Sequence, residues 1–566
     1  GTGYGALVSE VETTSTYNDT GYNAANDTLA SKKKGRLTRT EVEYRRPGLP
    51  SINRVSTFDY HDSGNEEGLL EMETIEPGTA DELITTYSYD AFGNVEEKNI
   101  KESVNAPANE IRKTKWDYDS VGRYKLTEQV WNGSTWLTSS SAIAANQHSA
   151  YGMPLLVTDM NGVNAVQKLD HFGAPIYSFS RTGTWTSNRI KELGKGNFCP
   201  NGTEYYQRID SAEAGDEAAY SCMDRVGREI RRLGRAFDGS YNGVDTEYTS
   251  TSKVLRVSEP FKVVNGSSSP TYWTTSTYDE FDRISKVTAP DGSETNTIYS
   301  GLTFTTINDL GQKQTDTKNA LGEIVLAEDH YTTTIAYEYN AAGNLTETNA
   351  GGVVVSMEYN DIGQKKSMND PNKGQGDWEY SYNGFGELVE QKDSQGQRSV
   401  HKYDAMGRLY ERKDYKGSSA STLETTSTWV FDTDAMNNAI PGLLASEATT
   451  YEEGGTTYNF SKVYVYESPN TSIAFRRLAS VGTIVEGDTY TETLHYDELG
   501  RNYHFRDASG SDRGTEKTYN QYGFVTQVKE TSGTGEVFYE NTSADVRGNT
   551  NEYFLGSTYR TQMFYD

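Results

Sequence analysis

A chain of 566 residues that contains two cysteines, 13 prolines and seven histidines has few of the residues that build metal centres or disulfide scaffolds. Cys199 and Cys222 flank a predicted hairpin, EYYQRID and EAAYS about a turn near Gly215. They either close one disulfide or stay as two buried thiols, because that turn does not set them directly opposite each other. Apolar residues make up only 34%, and no apolar run approaches the roughly 18 residues of a membrane span. Basic charge is also scarce: the net charge of -28 disfavours nucleic acid or an anionic membrane as partner, and no nucleic-acid partner is assigned. Two basic clusters, Lys32 to Arg36 (KKKGR) and Arg228 to Arg235 (REIRRLGR), read as solvated strand faces. Low hydrophobicity with high charge would suit disorder, but 12% aromatic content argues against it.

Catalytic signatures are missing as well. There is no G-x-S-x-G elbow, phosphate-binding loop or H-E-x-x-H pair, and the histidines are scattered. The stretch DTDAMNN (Asp432 to Asn438) starts like a calcium loop, but Met436 occupies a ligand position and no glycine follows. GTGYG at the start lacks the spacing of a dinucleotide fingerprint. The reading is therefore non-enzymatic, with no catalytic residue, metal or cofactor assigned.

What the chain has in abundance is glycine (53) and tyrosine (41, against 18 phenylalanines), which suits many short strands and turns. A short phrase recurs, aligned on glycine: Asp90 and Gly93, Asp119 and Gly122, Asp170 and Gly173, Asp224 and Gly227, Asp404 and Gly407, Asp497 and Gly500. Asn takes the acidic place before Gly343, Gly363, Gly386 and Gly523, and a tyrosine usually precedes it. From Gly322 to Gly407 the spacings are 21, 20, 23 and 21 residues, a repeat period. A second turn follows about ten residues later, as at Gly351-Gly352, Ser394-Gln395-Gly396, Ser509-Gly510 and Ser532-Gly533. Between turns, runs such as WEYSY (Trp378 to Tyr382) alternate and favour Tyr, Thr and Val. Each unit is thus a β-hairpin of two strands of about eight residues, and the fold class is all-β.

The letters of the phrase have structural work to do. Asp or Asn accepts hydrogen bonds from amides just ahead and starts a turn, and the glycine supplies positive φ. Asn at 340, 360, 383 and 520 supports a turn over catalysis, since a general acid would not tolerate the exchange. The tyrosine offers an apolar ring with a polar tip where no thick core lies behind it.

The Y-D-x-x-G-R phrase, some fourteen copies in register, resembles the Rhs/YD-repeat family of bacterial rearrangement-hotspot toxins, insecticidal toxin complex B and C components, wall-associated proteins and, distantly, teneurins. Met223 to Phe261 is similar to segments of the large bacterial members. The resemblance implies a repetitive hairpin sheet coiled into a spiral shell or hollow barrel, secreted or at the cell surface, that encapsulates and chaperones a polypeptide passenger such as a C-terminal toxin. The alternative it implies is a cell-surface adhesive protein with carbohydrate as partner. The repeats are clear over 86–413 and 491–566, with an irregular insert at about 131–219, irregular or degenerate repeats over 414–490, and a degenerate lead-in over 1–85. Gly1 and Phe564-Tyr565-Asp566 look like cuts through a longer polypeptide. Family members that release their toxin carry a D-P-x-G-L core; here Asp370-Pro371 continues as Asn372-Lys373-Gly374, an ordinary turn, so no autoprotease is assigned. Some 50 strands about 4.8 Å apart would make a strip roughly 240 Å long, about two turns of a wall 40 Å across.

Overall fold

In a computed structural model the chain is described over residues 9–17, 35–102, 111–142, 148–150, 152–173, 175–179, 185–192, 198–211, 217–374, 376–417, 422–467, 476–497, 499–509, 513–531, 535–556 and 559–563. Gly1 to Gly5, Lys32 to Lys34, Gly215, Gly510, Ser532-Gly533 and the final Phe564-Tyr565-Asp566 lie outside these residues. Among the described residues there are 44 strands and no α-helix. Strands pair antiparallel with their neighbours in sequence, except that Val254–Ser258 and Phe261–Val263 both pair with Tyr241–Tyr248, so the chain is a single meandering strip.

Local chemistry explains the two kinds of turn. At Gly351 and Gly352, with φ of 60° and 91°, a two-residue turn joins Ala350 to its partner Val353. Two consecutive positive φ values match the right-handed strand twist, and glycine adopts them without steric penalty. The Y-D-x-x-G turns instead carry a bulge: the register slips between Glu338 and Tyr339, Glu358 and Tyr359, Ser381 and Tyr382, and Lys402 and Tyr403. Turn and bulge take up residues, so most strands here are five to seven long, for example Val353–Tyr359 and Lys365–Asn369, shorter than the period alone predicts.

The ladder also runs through the stretches expected to be irregular. Between 131 and 219 it passes through Trp136–Ser141, Leu156–Asp159, Asn164–Leu169, Pro175–Phe179 and Trp185–Glu192. Between 414 and 490 the strands lengthen, with Ala439–Glu453 spanning 15 residues, and remain paired. One irregularity has a consequence for the whole strip. Tyr241–Tyr248 pairs with Phe261–Val263 through its start and with Val254–Ser258 through its end, so those two pieces form one interrupted strand. The interruption keeps the alternation in phase. The Y-D-x-x-G turns from Asp90 to Asp545, apart from the copy at Asn308 to Gly311, therefore lie at one edge of the strip and the second turns lie at the other.

The strip is one layer thick. Most strand residues are half-buried on both faces, and the accessible surface is 32486 Å². A compact protein of 62.9 kDa would expose about 20,000 Å². Among the described residues a true core forms only locally, where Tyr206, Cys222, Leu233, Tyr241 and Val263 cluster under Phe198 and Cys199. There the sulfurs of Cys199 and Cys222 are bonded, with Cα atoms 5.7 Å apart. Tyr206, not Cys199, stands opposite Cys222 in the ladder; Cys199 reaches it from the segment that leads into the hairpin. The Arg228 to Arg235 cluster departs from the solvated face expected of it. Arg231 is buried beside this core, paired with Asp245 at 2.5 and 2.7 Å and capped by the carbonyls of Phe198 and Ser268. An arginine whose three guanidinium nitrogens each find an acceptor, two of them on one carboxylate, can be buried without an unpaired charge.

Candidate functional site

The recurring turn is built around one side chain. In the Asp404 turn, Oδ1 accepts the Met406 and Arg408 amides at 2.9 and 3.0 Å, and Gly407 N donates to the Asp404 carbonyl. Asp90, Asp224 and Asp497 accept the same pair of amides; Asp119 takes the Arg123 and Tyr124 amides, and Asp170 accepts from Phe172. Gly93, Gly122, Gly173, Gly227, Gly343, Gly363, Gly386, Gly407, Gly500 and Gly523 all have positive φ. Asp432 and Asp434 belong to this chemistry too: Asp434 caps a turn closed by Asn438, while Asp432 accepts both Arg408 Nη atoms at 2.8 Å. Burial would raise the Asp432 carboxyl, but Arg408, the Gly442 amide and Asn132 hold it below its ordinary range.

The second oxygen of the acid selects the residue four positions on. Asp224, Asp279, Asp404 and Asp497 each accept the Nε of the following arginine at 2.7 to 2.8 Å. Where Asn stands instead, its Nδ2 needs an acceptor, and Gln312, Glu323, Gln364 and Glu387 supply it at 2.6 to 2.9 Å. The exchange of Asp for Asn is therefore a paired exchange, not simple tolerance. Asp497→Asn should cost about 1–2 kcal/mol, because an amide would face Arg501. Adding Arg501→Gln should restore most of it, as measured by amide exchange over 495–503 in a double-mutant cycle. Equal loss in the single and double variants would refute the pairing.

Tyrosine and arginine link one hairpin to the next. The hydroxyls of Tyr89, Tyr339, Tyr403, Tyr496 and Tyr519 donate to the carbonyls of Leu70, Ile324, Leu388, Leu478 and Asn502 in the preceding repeat, at 2.7 to 2.9 Å. Arg283 and Arg501 in turn lie over the Tyr299 and Tyr519 rings of the following repeat, at 4.0 and 4.3 Å. Burial raises all five of these stitching tyrosines above their ordinary value of 10.0. A folded-state value raised above the unfolded one leaves their contribution intact below pH 10 and removes it as pH rises through the folded values. Tyrosinate absorbance and loss of β-sheet circular dichroism should thus rise together above pH 10. Ionisation that precedes unfolding by a full pH unit would contradict the stitching role.

Successive revolutions meet along a seam. Arg46 Nη1 and Nη2 donate to Glu323 at 2.9 and 2.8 Å, and Arg46 Nε donates to the Ala341 carbonyl. Further along, Asn360 reaches Asp81, Arg112 reaches Glu387 and covers the Phe385 ring, Asn132 reaches Asp432, and Asn161 reaches the Pro441 carbonyl. Asn520 contacts the Phe237 carbonyl, and Asn242 the Val546 carbonyl. The partners are 275 to 304 residues apart. The turn after the second strand meets the turn after the twenty-sixth; with Val254–Ser258 and Phe261–Val263 counted as one interrupted strand, 23 strands complete a revolution. At about 4.8 Å per strand this is a circumference near 110 Å and a diameter near 35 Å. The seam joins unlike edges: the Y-D-x-x-G edge of the later revolution sits on the second-turn edge of the earlier one.

No protein-family model and no curated protein matches the chain. Among solved structures, a chain of the Photorhabdus luminescens Tc holotoxin pore carrying the TccC3-D651A mutation aligns with 97% of this chain and 38% of its own, with a TM-score of 0.53 at 12% identity. The wall has the fold of a Tc holotoxin chain. TcdB2-TccC3-TEV aligns over 97% of this chain and 40% of its own (TM-score 0.46, 10% identity). TcdB2-TccC3 without its hypervariable C-terminal region aligns over 94% and 41% (TM-score 0.44, 11% identity). This chain spans less than half the length of the Tc chains it matches. At 12% identity what the Tc-type wall shares with the holotoxin chain is the fold alone.

Proposed function

We propose that this chain is a shell segment of a large secreted YD-repeat protein, and that it encloses and chaperones a polypeptide passenger, a toxin domain in the reading its fold favours. The supporting observation is a wall that closes on itself through its seam while both faces of the strip stay accessible. A sheet that buries neither face forgoes the usual gain of a core, and enclosing space is what such an architecture offers in return. The fold likeness to a Tc holotoxin chain supports the same reading. The part played by these residues is structural: their carboxylates cap turns and bind arginines, and the wall needs no catalysis of its own. The described strands within 1–85, 131–219 and 414–490 serve as wall. The test is to fuse a protease-sensitive polypeptide after Asp566, remove any material that has not folded, and compare its cleavage with that of the free polypeptide. Protection that is lost when the shell is unfolded supports enclosure. Equal cleavage in both settings, or solution scattering that fits a solid particle, rejects it.

A further inference from the structure

The chain has seven histidines, and among the described residues one pair of their rings meets. The Asp497 turn folds Asp488–Tyr496 back on Asn502–Arg506 and sets His495 directly opposite His504. Their rings stack with centroids 4.9 Å apart and planes at 24°. The next strand, Gly514–Tyr519, sets Glu516 directly opposite His504 in turn. Residues directly opposite share a face, so imidazole, imidazole and carboxylate form one lateral row across three adjacent strands. His495 is exposed and His504 half-buried, which leaves the row open to an ion from solvent. The row lies within the ladder: Leu478–Val485 pairs with the first of the three strands and Val525–Glu530 with the third, so its spacing is held from both sides.

Directly opposed residues of antiparallel strands have Cβ atoms about 4.5–5.5 Å apart. From that spacing two imidazoles can both place a nitrogen about 2.0–2.1 Å from one ion. As the side chains stand, no three such donors gather about one point among the described residues, so binding turns the rings from stacking to converging. Imidazoles joined by one carboxylate suit zinc and, more strongly, copper(II), whereas magnesium prefers oxygen ligands alone. Lys529 lies 3.4 Å from Glu516 and competes with the ion for that carboxylate. We propose that His495, His504 and Glu516 form a site for a divalent transition-metal ion of the zinc and copper class, with water completing the coordination. The bound ion ties three successive strands of the wall together. The site is independent of any passenger, and its members come from three strands, so no motif spacing announces it.

Titration calorimetry of the full chain with zinc chloride tests it. Saturable binding is expected, tighter with copper(II) sulfate and not displaced by excess magnesium chloride. His495→Ala and His504→Ala should each weaken zinc binding at least about tenfold, the loss that even an outer partner of a ligand produces, with circular dichroism unchanged. His504→Gln keeps more of the side chain and provides a second variant should His504→Ala fail to fold. Glu516→Gln should weaken binding less than either histidine change, and Lys529→Gln, which releases the carboxylate, should tighten it. His330 is exposed and lies beside Tyr331, away from the row, so His330→Ala should leave the titration unchanged. Amide exchange over 493–506 and 514–518 should slow with zinc and not with magnesium. Absence of saturable zinc binding, or binding that survives both histidine substitutions, overturns the proposal.

Discussion

Gly407→Val should open the Asp404 hairpin and the seam above it together. Gly407 has φ of 80°, which a β-branched residue adopts only under strain. A Cβ there would also come within 2.9 Å of Glu387 Oε1 and 3.2 Å of Arg112 Nη1, the pair that joins the two revolutions at this point. Backbone strain of about 1–3 kcal/mol, with a displaced cross-turn ion pair added, makes this one of the most damaging single changes available in the wall. Each hairpin touches mainly its neighbours, so the loss should be local: faster amide exchange over 398–416 and around Arg112, and new protease cleavage there, with distant repeats unchanged. Asp404→Asn should be milder than Gly407→Val but not silent, because Asp404 Oδ2 holds Arg408 and Arg408 in turn holds Asp432. Intact exchange protection in Gly407→Val would return this stretch to consideration as something other than a turn.

Arg46→Glu should part the two revolutions at their first contact. The Arg46 and Glu323 side chains are only 12% and 20% exposed, and reversal would set two carboxylates against each other while stripping the Ala341 carbonyl of its donor. Removing one partner of a well-buried pair costs about 3–5 kcal/mol; exposure at the seam places this case near the lower end. The adjacent Arg45 is the control. It binds Glu10, Glu12 and Glu43 on the open surface at 39% exposure, so Arg45→Ala should leave stability nearly unchanged. Amide exchange at 46–49 and 340–345 reads the difference. Unchanged protection at 340–345 in Arg46→Glu would mean that the contact does not hold the revolutions together.

Much of the hairpin grammar could be read from the residues, since it obeys local rules. An Asx oxygen reaches amides two and four residues on, and glycine supplies positive φ, whatever surrounds the turn. The pairing of the Asx residue with its partner four positions on was equally present in the letters, Asn360 with Gln364 and Asp497 with Arg501. It escapes a reading of one position at a time, which takes Asn for a harmless stand-in for Asp. Asn340 with Asn344 and Asn520 with Phe524 break the pattern and blur it further. Arg231 illustrates the opposite difficulty: nothing in REIRRLGR distinguishes the arginine that is buried against Asp245 from its exposed neighbour Arg232.

The sequence by itself determined the hairpin, its period and the residues that close each turn, because those depend on contacts within one or two repeats. The seam was decided only in three dimensions. Whether Arg112 meets Glu387, 275 residues away, depends on a small curvature added strand by strand over a full revolution, and no single repeat encodes that sum. The same geometry decides that Phe385 is covered while Phe92, in the same place of the same phrase, stands open at the rim. Identical local chemistry becomes wall or rim according to which revolution it occupies.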